Sequence, residues 1–138
     1  DFGQAIDAST QPCKGGCGTY RYVAPEALSG RLLDEKIDVW SLGIALFVLL
    51  SNAFPYHTKF SPESRKKHAK ANFNYDSFAS ACKFDFIYDD DGSDISDDWN
   101  HISNDAKALI KRMLTLDPLQ RPSAAECLND PWILRYSH

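Results

Sequence analysis

The chain has 138 residues, 43% of them hydrophobic and 25% charged, a balance that suits one globular domain and excludes a disordered chain. A net charge of −4 excludes a nucleic-acid binder that works through bulk positive charge. Four cysteines are too few for a disulfide framework in a chain of this size, and no leader, lipidation motif or spanning segment is read, so a reducing intracellular compartment, cytoplasmic or nuclear, is the expectation, without a membrane or nucleic-acid partner.

Residues 1–26 read as loop. Gly3, Pro12, Gly15, Gly16 and Gly18 punctuate the stretch, and no helical or strand period persists through it. Pro25-Glu26-Ala27-Leu28 reads as a short helix with proline in its first turn, stopped near Gly30. A polar linker, residues 31–36, then leads into residues 37–50, which after Asp38 are apolar on nearly every side. A helix hydrophobic all round belongs at the centre of a globule or in a membrane. At about 1.5 Å per residue this one covers roughly 21 Å, short of the ~30 Å hydrocarbon core. It is therefore expected to be a central core helix, closed by Asn52 and Pro55, with the rest of the chain packed around it.

Ser61-Pro62-Glu63 has the cap, first-turn proline and acid of a helix start, and the segment runs basic through Arg65, Lys66, Lys67, His68 and Lys70, which suits a surface helix. Residues 75–88 are aromatic-rich and irregular, and residues 89–98 form an acidic run. Aligned as a calcium loop on Gly92, that run puts Ile87 at the first ligand position, so it reads as a solvated insertion. From Ser103 a helical period returns, with Ala106, Leu109, Ile110, Met113 and Leu114 on one face, ended by Asp117-Pro118. Ser123-Ala124-Ala125-Glu126 matches a capping box, and the helix it opens, the last one expected, stops near Asn129-Asp130-Pro131. No convincing strand pattern is present. Cys13 and Cys17 flank a glycine-rich turn and read as inert thiols, with a redox-sensitive pair as the rival reading. The four histidines lack zinc-ligand spacing.

Four blocks remain: Asp1-Phe2-Gly3; Gly18-Thr19-Tyr20-Arg21-Tyr22-Val23-Ala24-Pro25-Glu26; Asp38-Val39-Trp40-Ser41-Leu42-Gly43; and Asp117-Pro118-Leu119-Gln120-Arg121-Pro122. In this order they resemble the latter part of a eukaryotic protein kinase domain, and the Asp-Phe-Gly and Ala-Pro-Glu motifs bound an activation loop in that family. The tail, with Ala106-Lys107-Ala108-Leu109-Ile110 and Asp130-Pro131-Trp132-Ile133, looks most like the calcium/calmodulin-dependent group.

The resemblance implies a mainly α fold, the helical large lobe of the kinase domain. Residues 1–26 would be the activation segment and residues 27–138 the helical lobe, with the acidic insertion near 89–98. It implies serine/threonine kinase activity in the complete domain, with ATP and Mg²⁺ as cofactors and a protein as substrate. Asp1 would be the catalytic Mg²⁺ ligand, because a carboxylate on the metal neutralises charge at the transferring phosphate. Phe2 and Gly3 would set that loop. Gly18, Thr19 and Tyr22 would form the substrate floor, Thr19 accompanying serine/threonine specificity. Glu26, Asp38, Trp40 and Arg121 would support the site, Glu26 and Arg121 as a buried ion pair and Asp38 as a buried carboxylate receiving hydrogen bonds from a catalytic loop. Ser9 and Thr10 are the nearest candidate phosphosites in a loop where Lys14-Gly15-Gly16 occupies the family's usual position.

The chain carries no Gly-rich phosphate loop, no Val-Ala-Ile-Lys strand and no His-Arg-Asp loop, and it opens on Asp1 rather than methionine. It is thus expected to be a fragment, inactive alone and without tight nucleotide binding. Regulation would come from a regulatory protein or calcium-sensor segment outside it. The rival class is a non-catalytic module, a pseudokinase or truncated product that uses the helical lobe for docking.

Overall fold

Helix α1, Lys36–Ser51, is the axis on which the described residues pack. The structure is a computed structural model that describes residues 5–7, 13–14, 19, 21–28, 32–52, 54–55 and 97–136. Apolar side chains and a lone acid in the first turn, Asp38, favour this helix, the acid because it meets the positive end of the helix dipole. Asn52 ends it. Its backbone turns left-handed (φ 53°, ψ 21°), and its N–H donates to the Val48 carbonyl at 2.9 Å.

Burial of α1 is one-sided. Val39, Trp40, Gly43, Ile44, Phe47 and Ser51 are buried, whereas Leu42 is 60% and Leu49 80% exposed. The expectation of a helix packed on every side is corrected here. A helix without a polar face has no periodicity from which to read its orientation, so only the elements that reach it decide which side is covered.

What covers it comes chiefly from the C-terminal third. Helix α2, Asp97–Asn100, brings Trp99 onto Phe47, with ring centroids 4.4 Å apart. Asp97 and Asp98, the last two residues of the acidic run, lie in this helix, and the rest of the expected insertion, residues 89–96, lies outside the described residues. Helix α3, Asn104–Met113, is capped by Ser103, whose hydroxyl accepts the Ala106 N–H at 3.3 Å, and it buries Ala106, Leu109, Ile110 and Met113. Ala24, Trp40, Ile44, Phe47, Trp99, Ile110 and Leu114 form one core cluster. Val39, Leu109 and Met113 form a second, against which Cys127, Trp132 and Ile133 pack.

Close approach of α3 to α1 depends on Gly43. A Cβ there would lie 2.9 Å from both Leu114 Cδ2 and Met113 Cβ. Helix α3 stops at Met113, before Asp117-Pro118, and Asp117 instead builds the following turn. Its side chain accepts the Leu119 N–H at 3.0 Å, and its carbonyl accepts from Gln120 and Arg121 at 3.0 and 3.1 Å.

Helix α4, Ala124–Leu128, opens on the expected capping box. The Ser123 hydroxyl accepts the Glu126 N–H at 3.2 Å, and the Glu126 carboxylate accepts the Ser123 N–H at 2.7 Å. It is not the last helix. Helix α5, Pro131–Tyr136, begins at the proline that the sequence suggested as a stop, with Asp130 Oδ1 accepting the Trp132 N–H at 2.9 Å. Proline tolerates the first turn of a helix as readily as it ends one, because the N–H it lacks has no helical partner there.

Two short strands also correct the sequence reading. β1, Cys13–Lys14, pairs antiparallel with β2, Leu32–Leu33, in segments expected to be loop and linker. Two residues are too few to display a strand's alternation. Pro25–Leu28 is a 3-10 turn with proline first, as expected. The described architecture is thus mainly helical, and none of its described helices is long and apolar enough to cross a membrane. The expected surface helix from Ser61 and the aromatic-rich stretch lie outside the described residues.

Candidate substrate floor and its buried support

The site is built from Arg121 upward. The turn organised by Asp117 delivers this arginine beneath the start of α1, where it is only 1% exposed. Its fork meets the Glu26 carboxylate, with Nη1 to Oε1 at 2.5 Å and Nη2 to Oε2 at 3.0 Å. Nη1 also donates to the Lys36 carbonyl at 2.9 Å, and Nε to the Thr115 carbonyl at 3.1 Å. The guanidinium carbon stands 5.1 Å from the centroid of the Trp40 ring. A charge taken out of water is tolerable only when paired and hydrogen-bonded, and this one is both. The bidentate fork also fixes direction, which a lysine could not do. Lys36 closes the arrangement from the other side, donating from Nζ to the Pro118 carbonyl at 3.1 Å.

Glu26 lies in the 3-10 turn between Ala24-Pro25 and Ala27, all buried. Its pairing pins the segment that precedes it. There Thr19 is exposed, and its carbonyl accepts the Tyr22 N–H at 2.8 Å. Tyr22 is half-buried and sets its ring edge-on to Phe54, with centroids 5.7 Å apart. The Arg21 guanidinium carbon lies 4.6 Å from the centroid of the same Phe54 ring. The Tyr22 carbonyl accepts a hydrogen bond from Ser41 Oγ of α1 at 2.8 Å.

Of the residues singled out from sequence, the structure brings together Thr19, Tyr22, Glu26, Trp40 and Arg121. Asp38 stands apart. It is exposed on α1, and the catalytic loop from which the resemblance would give it hydrogen bonds is absent from this sequence, so this chain alone does not test its expected burial. Asp1, Phe2, Gly3, Ser9, Thr10 and Gly18 lie outside the described residues. Among the described residues, no group of three or more His, Cys, Asp or Glu side chains is placed to hold a metal ion.

Sequence reasoning missed Ser41 and Lys36. Ser41 carried a signal, a hydroxyl in the middle of an apolar run, but its acceptor lies 19 residues away. Among the described residues, two titratable groups depart from ordinary values. Hydrogen bonds from the Ser123 backbone N–H, then from its hydroxyl, hold the Glu126 carboxyl low, and burial pushes the Cys127 thiol up.

A polypeptide turn is thus held on one side by a core helix and on the other by a buried ion pair. Residues 1–133 match the family described as the protein kinase domain, and the chain belongs to that family. Among curated relatives, a calcium and calcium/calmodulin-dependent serine/threonine-protein kinase of Pisum sativum is 35% identical over 134 residues, covering 96% of this chain and 22% of that protein. The protein of the same name from Lilium longiflorum is 31% identical over 135 residues, covering 97% of this chain and 22% of its own length. A probable myosin light chain kinase of Dictyostelium discoideum is 31% identical over 134 residues, covering 96% of this chain and 33% of that protein. The chain thus spans about a fifth to a third of the length of these relatives.

Proposed function

We propose that this chain is part of a serine/threonine protein kinase, an intracellular enzyme that transfers the γ-phosphate of ATP to serine and threonine hydroxyls of proteins. The observation that carries the reading is Thr19, exposed on a turn anchored to α1 through Tyr22 and followed by the buried Glu26–Arg121 pair. Phosphoryl transfer asks a protein mainly for positioning and for charge stabilisation. A floor ordered before the peptide arrives lowers the entropy lost on binding and holds the acceptor hydroxyl in line.

Members of this family use ATP and Mg²⁺. Asp1 is our candidate Mg²⁺ ligand, on the strength of the Asp-Phe-Gly motif that it opens. Thr19, with Gly18, holds the peptide near the reacting centre, and Tyr22 fills the floor beneath it. Ser9 and Thr10 are proposed phosphosites. We also propose that residues 1–138 alone are inactive and that control by a regulatory protein or calcium-sensor segment acts from outside them.

The test is transfer of radiolabel from the γ-position of ATP to serine, threonine and tyrosine peptides by the longest natural reading frame containing these residues. Label on serine and threonine, lost in Thr19→Ala, is the expected result. Label on tyrosine alone would overturn the specificity. A second reading, a non-catalytic docking module, is favoured by the exposed Leu42 and Leu49 on α1. It predicts no transfer, and partner capture that Leu42→Asp abolishes.

A further inference from the structure

We propose that Ser41 is a positioning residue for the substrate floor, acting on Thr19 through the peptide groups of Tyr22; the proposal rests on the kinase reading above. Ser41 Oγ lies 2.8 Å from the Tyr22 carbonyl and 3.1 Å from the Ile37 carbonyl one helical turn back. A hydroxyl has one proton to donate. Serine within a helix ordinarily gives it to the carbonyl four residues back. Here the shorter line runs out of the helix, to Tyr22.

Tyr22 then transmits the constraint. Its carbonyl is held by Ser41, and its N–H donates to the Thr19 carbonyl at 2.8 Å. Two hydrogen bonds therefore connect the core helix to the exposed Thr19. The first ends on α1 one residue after the buried Trp40, so its origin is rigid. The second closes the turn that presents Thr19. Edge-on contact with Phe54 holds the Tyr22 ring, which leaves rotation of the backbone as the motion that Ser41 suppresses.

Glu26 does not duplicate this work. It lies in the 3-10 turn beyond Ala24 and Pro25, and the bond from Ser41 reaches the floor four residues earlier in the chain. Loss of the Ser41 hydroxyl should therefore loosen the bond between the Tyr22 N–H and the Thr19 carbonyl while the Glu26–Arg121 pair and the two core clusters stay in place. The Tyr22 carbonyl, in a part-buried setting, can take a water instead, so stability is largely kept.

The experiment compares Ser41→Ala and Ser41→Thr with the unsubstituted protein, in the longest natural reading frame containing these residues. Ser41→Ala is expected to lower kcat/KM for a serine peptide by roughly two- to tenfold, the size of one net hydrogen bond. KM for ATP and the melting temperature should not change, and Ser41→Thr, which keeps a hydroxyl, should restore the peptide term. Backbone amide exchange at Tyr22 is measured on the same proteins. It should accelerate in Ser41→Ala, with exchange along α3 unchanged. If the enzyme is active and Ser41→Ala leaves peptide kcat/KM unaltered, or moves ATP KM and melting temperature with it, the positioning role is wrong. If the unsubstituted protein transfers no phosphate, the kinase reading fails instead. The Ser41 link is then judged on amide exchange alone: faster exchange at Tyr22 upholds it, and unchanged exchange overturns it.

Discussion

Arg121 and Glu26 stand 95 residues apart in the chain, yet their side chains meet in a two-pronged contact from which water is almost wholly excluded. The pair joins the segment before α1 to the turn after α3. Removing one partner strands the other as a buried charge, the costly case for such pairs. Arg121→Ala should lose roughly 3–5 kcal/mol of stability. Arg135→Ala removes an ion pair with Asp105 in which both side chains are about half exposed, and it should lose about 1 kcal/mol or less. Urea unfolding of the two variants measures the difference, and equal midpoints would show that the Glu26–Arg121 contact adds nothing beyond a surface pair.

Gly43 sets the distance between α1 and α3. Alanine is the better helix former by about 1 kcal/mol, so a permissive site would be stabilised by the substitution. This site is not permissive, because one of the atoms met at 2.9 Å is Met113 Cβ, which cannot swing aside. Gly43→Ala should destabilise by a net ~1–2 kcal/mol, and Gly43→Val by more. Thermal unfolding decides the sign, and a higher melting temperature for Gly43→Ala would show that the helices can separate cheaply.

The capping box of α4 makes stability depend on pH in one direction. Hydrogen bonds from Ser123 lower the Glu126 pKa in the folded state below its unfolded value. A group depressed in this way contributes stability above its unfolded pKa, about 4.3 for glutamate, and that contribution disappears as pH falls through the lower folded value. Glu126→Gln should flatten this part of the acid limb of the stability curve, and Ser123→Ala should flatten it as well. Unfolding midpoints followed from pH 6 down to pH 3 test this; an unchanged acid limb in both variants would count against the assignment.

Cys127 presents the opposite shift. It packs against the Val39, Leu109 and Met113 cluster, and burial raises its thiol pKa, only partly offset by the nearby Arg112. Thiolate is the reactive form, so Cys127 should alkylate more slowly at neutral pH than a free small-molecule thiol. Mass spectrometry after a timed iodoacetamide pulse reads this directly, and faster labelling than glutathione would contradict it.

Much of the helical framework could be read from short stretches. The Ser123–Glu126 capping box, the Ser103 cap and the apolar face of α3 are encoded within a turn or two of chain, and the structure places them where these signals do. Family membership was likewise legible, because it rests on four blocks of residue identity in order. The Glu26–Arg121 contact was foreseen only through that likeness, since neither residue's neighbourhood marks it as buried.

By itself, then, the sequence determined the family, the short turn at Pro25 and the starts of α1, α3 and α4, all properties of local identity and spacing. Only the tertiary structure decided which side of α1 is covered, that Asp38 is exposed, that Pro131 begins a helix rather than ending one, and that Ser41 reaches across to Tyr22. These depend on which distant segments approach one another. Burial of an all-apolar helix and the choice of a hydroxyl's acceptor are settled by that approach, and no periodicity along the chain records it.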